Sequence, residues 1–156
     1  MKKKEVLALS EKLNGSAFRP RVSFETIKDY DFNYPIIVNR RKLAKVVEEI
    51  EADVKELQPT LHKELKEEVT KLITDAQKGK PETELRDIES ATIKGWDKYD
   101  QWTDVNKEYA DLIDKLYNEE SEYIVYKFNL DKVDLHKLEI NDEQLDAVFD
   151  LIPDEK

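Results

Sequence analysis

The fold expected for this chain depends mainly on the stretch Asn33–Leu57, NYPIIVNRRKLAKVVEEIEADVKEL. Its apolar residues recur at helical intervals, which places six of them along one face of an α-helix: Leu43, Val46, Val47, Ile50, Val54 and Leu57. Charged residues occupy the other faces. Burying one leucine-sized side chain is worth about 1.5–3 kcal/mol, so this stripe needs a covering partner. We therefore expect a helix over residues 34–57 at the centre of a packed domain.

Two starts are compatible with this helix. Asn33 can cap it with Pro35 in the first turn, where the missing N–H of proline costs nothing. Alternatively, residues 34–38 form a short strand and Asn39 is the cap. The second arrangement leaves the cations of residues 40–45 in the first two turns, where the helix dipole disfavours them. The charge pattern thus favours the longer helix.

Similar apolar stripes predict four more helices, over residues 1–13, 60–78, 104–118 and 142–151. The expected buried residues are Val6, Leu9 and Leu13 in the first of these, Leu61, Leu65, Val69, Leu72, Ile73 and Ala76 in the second, and Leu145, Val148, Phe149 and Ile152 in the last. Pro59 separates the central helix from the next one, because the residue before a proline is pushed out of the α region. These two helices form either a hairpin or one kinked rod. The last helix has a clear start signal, since Asn141 can cap it while Gln144 takes the reciprocal capping position.

Alternating apolar and polar residues indicate strands elsewhere in the chain. Tyr123–Leu130 has the clearest alternation, and its candidate partners are Arg21–Ile27 and Val133–Ile140, since a single strand is not stable alone. The sequence therefore predicts a mainly α fold with a small β element (α+β), in which a helical hairpin or bundle accompanies a short antiparallel sheet. We expect a single domain over residues 1–156, with tails at 1–4 and 153–156 that are free to fray.

The composition excludes several classes of function. The chain of 156 residues has no cysteine, so it has no disulfide, no thiolate metal site and no cysteine nucleophile. It lacks a run of about 20 apolar residues and a recognisable secretion signal, so we expect a cytoplasmic protein without a membrane partner. Its three glycines lie far apart, which argues against a phosphate-binding loop and a nucleotide cofactor.

Charge is distributed unevenly along the sequence. The formal net charge is −10, with +6 over residues 1–47 and −16 over residues 48–156. An acidic surface repels nucleic acid and anionic membranes, so we expect no direct nucleic-acid binding and favour a protein partner or simple solubility. Five charged side chains at this transition are candidate partner-binding residues: Arg40, Arg41, Glu48, Glu49 and Glu51.

Three aromatic residues, Trp96, Tyr99 and Trp102, follow one another at a spacing of three. They are further candidates for a partner-binding site. Large aromatic rings more often pack in a core, however, and two helical turns would bring them together for that reason alone. The sequence leaves both interpretations open.

Metal and acid–base chemistry find little support in the sequence. Neither His62 nor His136 has other ligands at metal-binding spacing, and residues 29–33 match a calcium loop only until Tyr34, where such a loop needs glycine. Many carboxylates could form a catalytic pair: Glu48, Glu49, Glu51, Glu64, Glu67 and Glu68. Their abundance weakens the signal, because Glu beside Lys is ordinary on helix surfaces. We expect no catalytic residues, metal or cofactor.

Four stretches together resemble a family of small acidic proteins encoded by tailed bacteriophages: VLALSEKLNG (6–15), VNRRKLAKVVEEIE (38–51), KEYADLIDKLYNEESEYIVYKFNLDKVD (107–134) and LEINDEQLDAVFDLI (138–152). In that family, a helix runs into a short strand and then into a closing helix with a polar cap. The resemblance covers both ends of the chain and not residues 59–102. FETIKDYDFNYP (24–35) departs from the family pattern. The family implies no catalytic residues for this chain.

Together these patterns lead to two hypotheses about function. The first is a non-enzymatic phage protein that binds another protein, either as an accessory in virion assembly or as an inhibitor of a host factor, including a defence factor. The second is an acidic mimic of nucleic acid that blocks a host DNA-binding enzyme through residues 48–75 and 97–122, which hold nine acids against four bases and nine against three. A homo-oligomer would result if a second copy covered the central stripe.

Overall fold

A computed structural model describes residues 1–15 and 29–154 of the chain. This part is mainly helical, as predicted, with α1 (Lys3–Asn14), α2 (Tyr30–Leu57), α3 (Thr60–Gln77), α4 (Leu85–Lys94), α5 (Tyr99–Tyr117) and α6 (Asp142–Ala147). Single 3₁₀ turns precede α4 and follow α6, at Glu82–Glu84 and Phe149–Leu151.

Contacts between Cα atoms divide the chain into two compact units. Unit 1 comprises residues 1–52 and 117–156, and unit 2 comprises residues 53–116. Each unit has a hydrophobic cluster of its own. The single domain expected from the sequence stays a prediction.

The core of unit 1 combines residues from distant parts of the sequence. Its buried members come from α1, α2, the segment after α5 and the C-terminal turns: Val6, Leu9, Leu13, Phe32, Ile36, Leu43, Ile50, Phe128, Val133, Ala147, Val148 and Leu151. The predicted stripe of α1 is confirmed in full. From the stripe of the central helix, Leu43 and Ile50 are buried in this core.

The central helix begins earlier than predicted. α2 starts at Tyr30, and the Oδ1 atom of Asp29 accepts a hydrogen bond of 3.0 Å from the backbone N–H of Phe32. This carboxylate satisfies one of the free N–H groups of the first turn. The prediction of Asn33 as the cap is therefore wrong, and so is the alternative with Asn39, which is buried inside the helix. The sequence interpretation missed the early start because Pro35 suggested a first turn.

The predicted β element is wrong for the described residues, which contain one isolated antiparallel bridge, between Lys2 and Glu120, and no strand. Residues 123–130 lie between α5 and α6 without a neighbouring strand. The side chain of Asn39 bonds both backbone groups of Tyr126, and the carbonyl of Leu151 accepts from the N–H of Phe128. The Asn39 side chain and the Leu151 carbonyl thus satisfy backbone N–H and C=O groups that a neighbouring strand would otherwise pair.

The predicted partner strands do not form a sheet either. Over residues 133–140 the chain makes turns, and the backbone N–H of His136 bonds the Oδ1 atom of Asp134 at 3.0 Å. Aspartate and asparagine side chains stabilise turns by such bonds to the backbone two residues on. The other candidate strand, Arg21–Ile27, lies outside the described residues.

The last helix has the predicted start and a different buried face. Asn141 and Gln144 form the reciprocal capping box, with Asn141 Oδ1 accepting from the Gln144 N–H at 2.8 Å. The α-helix ends at Ala147 and a 3₁₀ turn follows, so the buried side chains are Gln144, Ala147, Val148 and Leu151. Phe149, which the helical stripe placed inside, is 67% exposed. The tighter 3₁₀ turn rotates it out of the core.

Unit 2 is built from the end of α2 together with α3, α4 and most of α5. Its cluster contains Leu65, Val69, Trp96 and Val105, with Ile73, Ile93 and Trp102 packed against it. As predicted, α3 begins after Pro59 and stops before Gly79, whose φ of 75° lies in the left-handed region that glycine tolerates. Leu61 and Leu72 of the predicted α3 stripe are exposed, whereas His62 is buried.

The uneven charge of the sequence is evened out between the units. Residues 53–116 hold eleven Lys/Arg and sixteen Asp/Glu, and the remaining residues hold fifteen and twenty, so each unit carries −5. Unit 1 combines the basic N-terminal stretch with acidic residues after α5. The Nζ atom of Lys3 lies 2.9 Å from Glu119, and the α-amino group of Met1 lies 3.3 Å from Glu120. The two units therefore have the same net charge, although the two ends of the sequence differ.

Candidate functional site

Three solvent-exposed tyrosines form a continuous aromatic surface on unit 1. Tyr30 is 74% exposed, Tyr34 is 40% exposed and Tyr126 is 42% exposed. The rings of Tyr30 and Tyr34 are stacked with centroids 5.5 Å apart, and Tyr34 meets Tyr126 edge to face at 5.7 Å. Both arrangements are favourable for aromatic rings. We call Tyr30, Tyr34 and Tyr126 the tyrosine surface.

The tyrosine surface borders a cleft of about 270 Å³. Besides the three tyrosines, the cleft is lined by Asp31, Pro35, Asn129 and Lys132. The ammonium of Lys42 lies 6.0 Å from the centroid of the Tyr126 ring, at the edge of cation–π distance. Aromatic faces, a carboxylate and two ammonium groups are thus close together, a combination that can bury apolar area and bond polar groups of a partner.

The helix period explains why two of the tyrosines meet. Tyr30 and Tyr34 are four residues apart on α2, and side chains at this spacing lie one above the other on the same face. Between them, Phe32 points into the core and stacks on Phe128, with ring centroids 5.5 Å apart. The first turn of α2 therefore anchors one aromatic ring inside and presents two outside.

A buried amide fixes the third tyrosine. The Nδ2 atom of Asn39 donates to the carbonyls of Pro35 and Tyr126 at 2.7 and 2.8 Å, and its Oδ1 atom accepts from the N–H of Tyr126 at 3.0 Å. The same Oδ1 atom accepts from the Tyr123 hydroxyl. All four hydrogen-bonding positions of this side chain are filled. Burial also raises the pKa of Tyr123 to about 12.

The charged candidates from the sequence lie on α2 in unit 1, with different exposures. Arg41, Glu48, Glu49 and Glu51 are exposed. Arg40 is half-buried, and its Nε atom donates to the carbonyl of Leu13 at 2.6 Å, in the last turn of α1. Arg40 therefore has a structural role at a helix C-terminus, where cations are favoured.

The aromatic candidates lie in unit 2. Trp96 is buried and Trp102 is half-buried, with ring centroids 6.3 Å apart, and Tyr99 is more exposed. The two tryptophans belong to the hydrophobic cluster of the unit. Their main role is core packing, the commoner of the two interpretations that the sequence left open.

His62 lies at the centre of a polar contact inside unit 2. Its Nδ1 atom lies 2.9 Å from Gln58 Nε2 and its Nε2 atom lies 2.9 Å from Asn106 Oδ1, an arrangement that fits a neutral ring with the proton on Nε2. The ring also stacks on Trp102 at 5.1 Å and meets Tyr109 at 4.8 Å. Both nitrogens are thus engaged by amide side chains.

Within residues 1–15 and 29–154, no group of three or more His, Asp or Glu side chains is placed to hold a metal ion. Within the same ranges, no helix combines the length and apolarity needed to cross a bilayer.

Sequence reasoning missed the tyrosine surface. It predicted no helix over residues 16–31, so the spacing of Tyr30 and Tyr34 carried no meaning. Had the helix been extended to Asp29 as an N-cap, the i, i+4 tyrosine pair would have been visible. The contact of Tyr126 with them depends on the fold and has no signal in the sequence.

Comparisons with protein-family models, with curated proteins and with solved structures each found no match for this chain.

Proposed function

We propose that this protein acts by binding another protein, without catalysis, and that the tyrosine surface contacts the partner. The observation that carries the proposal is the exposure of three mutually contacting tyrosines beside a cleft. Tyrosine is enriched at protein interfaces and among the residues that dominate binding energy, because it combines a rigid apolar ring with a polar hydroxyl.

The local chemistry suits a protein partner. Asp31 and Lys132 line the same cleft and Lys42 lies beside it, so both charge signs are available around the rings. Interfaces typically surround aromatic anchors with a polar rim. The resemblance to small acidic phage proteins makes the proposed partner a virion component or a host protein, bound during assembly or inhibited during infection.

The test compares a surface variant with a matched control. Tagged wild-type protein, the double variant Tyr30→Ser/Tyr34→Ser and the variant Phe149→Ser are each used for capture from infected cells and from purified particles. Phe149 is an exposed aromatic residue of unit 1 outside the tyrosine surface. We expect wild type and Phe149→Ser to retain the same partner, and the double variant to bind it at least about ten-fold more weakly, since hot-spot residues contribute 2 kcal/mol or more.

Equal retention by all three proteins would overturn the role of the tyrosine surface. Failure of wild type to retain any protein, together with its absence from particles, would overturn the binding function itself. Circular dichroism of the double variant checks that the helices are intact.

The exposure of Glu48, Glu49 and Glu51 keeps the nucleic-acid mimic as a second candidate. Lysines within the acidic segments 48–75 and 97–122 reduce their negative potential, as where Lys98 pairs with Glu68 at 2.8 Å. The mimicry hypothesis predicts that the protein competes with DNA for binding to a host nuclease or polymerase. Reversing the three glutamates to lysine should abolish this competition, and binding that is indifferent to salt would contradict it.

A further inference from the structure

We infer that residues 123–127 are an open strand edge at which a second copy of this chain adds as an antiparallel strand. The sequence of this segment, Tyr-Ile-Val-Tyr-Lys, is rich in the aromatic and β-branched residues that favour strands. Exposure alternates from Ser121 to Tyr126, as in an extended backbone with side chains on opposite sides. Segments of this kind normally pair with another strand in a sheet, but this one pairs with no strand among the described residues.

One side of the segment has hydrogen-bond partners, and the other side has no backbone partner among the described residues. Both backbone groups of Tyr126 bond Asn39, and the N–H of Phe128 bonds the carbonyl of Leu151. Consecutive residues of an extended chain direct their backbone groups to opposite sides, so those of Val125 face away from Asn39. No described residue makes a backbone hydrogen bond with Val125 or Lys127. Unpaired edges of this kind are templates for another strand.

The exposed side chains add to this edge. Ile124 is 82% exposed, the largest exposed fraction among the large hydrophobic side chains of the described chain, and Tyr126 stands beside it on the same face. The segment contains no proline, and Lys127 is its one charged residue. Proline and repeated charges are the usual protection of edge strands.

A second copy fits the edge because the segment is self-complementary about Val125. In an antiparallel pair centred there, Val125 of the two copies exchange two hydrogen bonds. The N–H of each Lys127 meets the carbonyl of Tyr123 of the other copy, to which no described residue donates a backbone hydrogen bond. Ile124 then lies opposite Tyr126 of the other copy, a favourable pair of β-branched and aromatic side chains. Lys127 lies opposite an uncharged tyrosine, so no like charges face each other. The contact is isologous and closes as a dimer.

The test measures association and backbone protection on the full chain. Sedimentation and amide hydrogen exchange by NMR are recorded from about 20 µM to about 1 mM, a range suited to a small interface, in about 0.5 M salt, which screens repulsion between copies of net charge −10. We expect a monomer–dimer equilibrium in which the amides of Val125 and Lys127 become protected as concentration rises. The amides of Tyr126 and Phe128 are internal controls, because each is bonded within one copy at every concentration.

Two variants separate the strand edge from other surfaces. Ile124→Lys removes the exposed apolar contact and should weaken the dimer about ten-fold, with an unchanged unfolding transition because the side chain is exposed. Phe149→Ser, at another exposed position of unit 1, should leave the dimer unchanged. Strictly monomeric behaviour to the highest concentration would overturn the inference. So would a dimer in which the two edge amides exchange as in the monomer, or protection of these amides in a species that sediments as a monomer.

Discussion

A polar side chain is buried on a long helix of each unit, and these two side chains are stabilised in different ways. Asn39 in unit 1 and His62 in unit 2 both contact the residue four positions earlier, Pro35 and Gln58 respectively. The other partners of Asn39 are the two backbone groups of Tyr126 and the Tyr123 hydroxyl. Those of His62 are the side chain of Asn106 and two aromatic rings.

This difference predicts which of the two positions tolerates substitution less well. Backbone groups cannot be replaced or turned away, so loss of Asn39 leaves part-buried donors and acceptors without partners. Amide side chains can rotate toward solvent, so loss of His62 removes packing and leaves fewer unsatisfied groups. Leaving a buried polar group unsatisfied costs about 1–3 kcal/mol, more than the net contribution of an ordinary hydrogen bond. Asn39 should therefore be the more sensitive position.

The largest expected effect is that of Asn39→Leu. It removes both bonds to Tyr126 and the acceptor for Tyr123, so we expect a loss of about 3–5 kcal/mol in the free energy of unfolding. Urea unfolding followed by circular dichroism measures this loss, and amide exchange of Leu9 and Leu43 localises it to unit 1. Glu48→Leu is the control, since that residue lies on the same helix and is exposed. A loss below that of His62→Ala would contradict the comparison.

His62→Ala should have the second largest effect. It removes the ring that stacks on Trp102 and both of its polar contacts, so we expect a loss of about 2–3 kcal/mol. Both tryptophans of the chain lie in unit 2, so tryptophan fluorescence during urea unfolding reports on this unit. His136→Ala is the matched control because His136 is exposed, and it should be neutral within about 0.5 kcal/mol.

The hydroxyl of Tyr123 links the Asn39 contact to pH. Its pKa is raised from 10.0 to about 12, so the folded state holds this proton more tightly than the unfolded state. The stabilisation is complete below pH 10 and is lost as pH rises through 10 to 12. Because Tyr123 is half-buried, we expect a loss of about 1 kcal/mol over this window.

Unfolding by urea at a series of alkaline pH values tests the role of Tyr123. Tyr123→Phe should flatten the decline in stability between pH 10 and 12, whereas the exposed Tyr30→Phe should leave the decline in place. An identical decline in wild type and Tyr123→Phe would show that another group is responsible.

Gln58→Ala should have the smallest effect. It removes one neutral hydrogen bond to His62 from a half-buried position that water can reach, so we expect a loss of about 0.5–1 kcal/mol. The shift of the fluorescence midpoint in urea measures it. An effect as large as that of Asn39→Leu would mean that side-chain partners are as irreplaceable as backbone partners, which would remove the distinction between the units.

Patterns that are local in sequence predicted the helices well. The stripe of Val6, Leu9 and Leu13, the break at Pro59 and the cap at Asn141 all depend on neighbouring residues, and all three are present. The predicted start of α2 was wrong because Asp29 and Pro35 give competing start signals. The tyrosine surface was missed together with that start.

The strand prediction failed for a different reason. The residues at 123–130 have the composition of a strand, but strand formation depends on a partner segment that is often distant in the sequence. Here a side chain of α2 and a C-terminal carbonyl satisfy backbone groups that a sheet would have paired. Local alternation cannot reveal such partners, since Asn39 is 87 residues from Tyr126 in the sequence.

The amino-acid sequence was sufficient to predict a helical, acidic protein without cysteine chemistry, because helix periodicity and composition depend on residues that are near one another or simply counted. Three features became visible only in the folded structure: Asn39 replaces a strand partner, His62 is enclosed by amides and aromatic rings, and Tyr126 joins Tyr30 and Tyr34. These outcomes depend on contacts between distant segments, and the free energy of such contacts is set by three-dimensional packing.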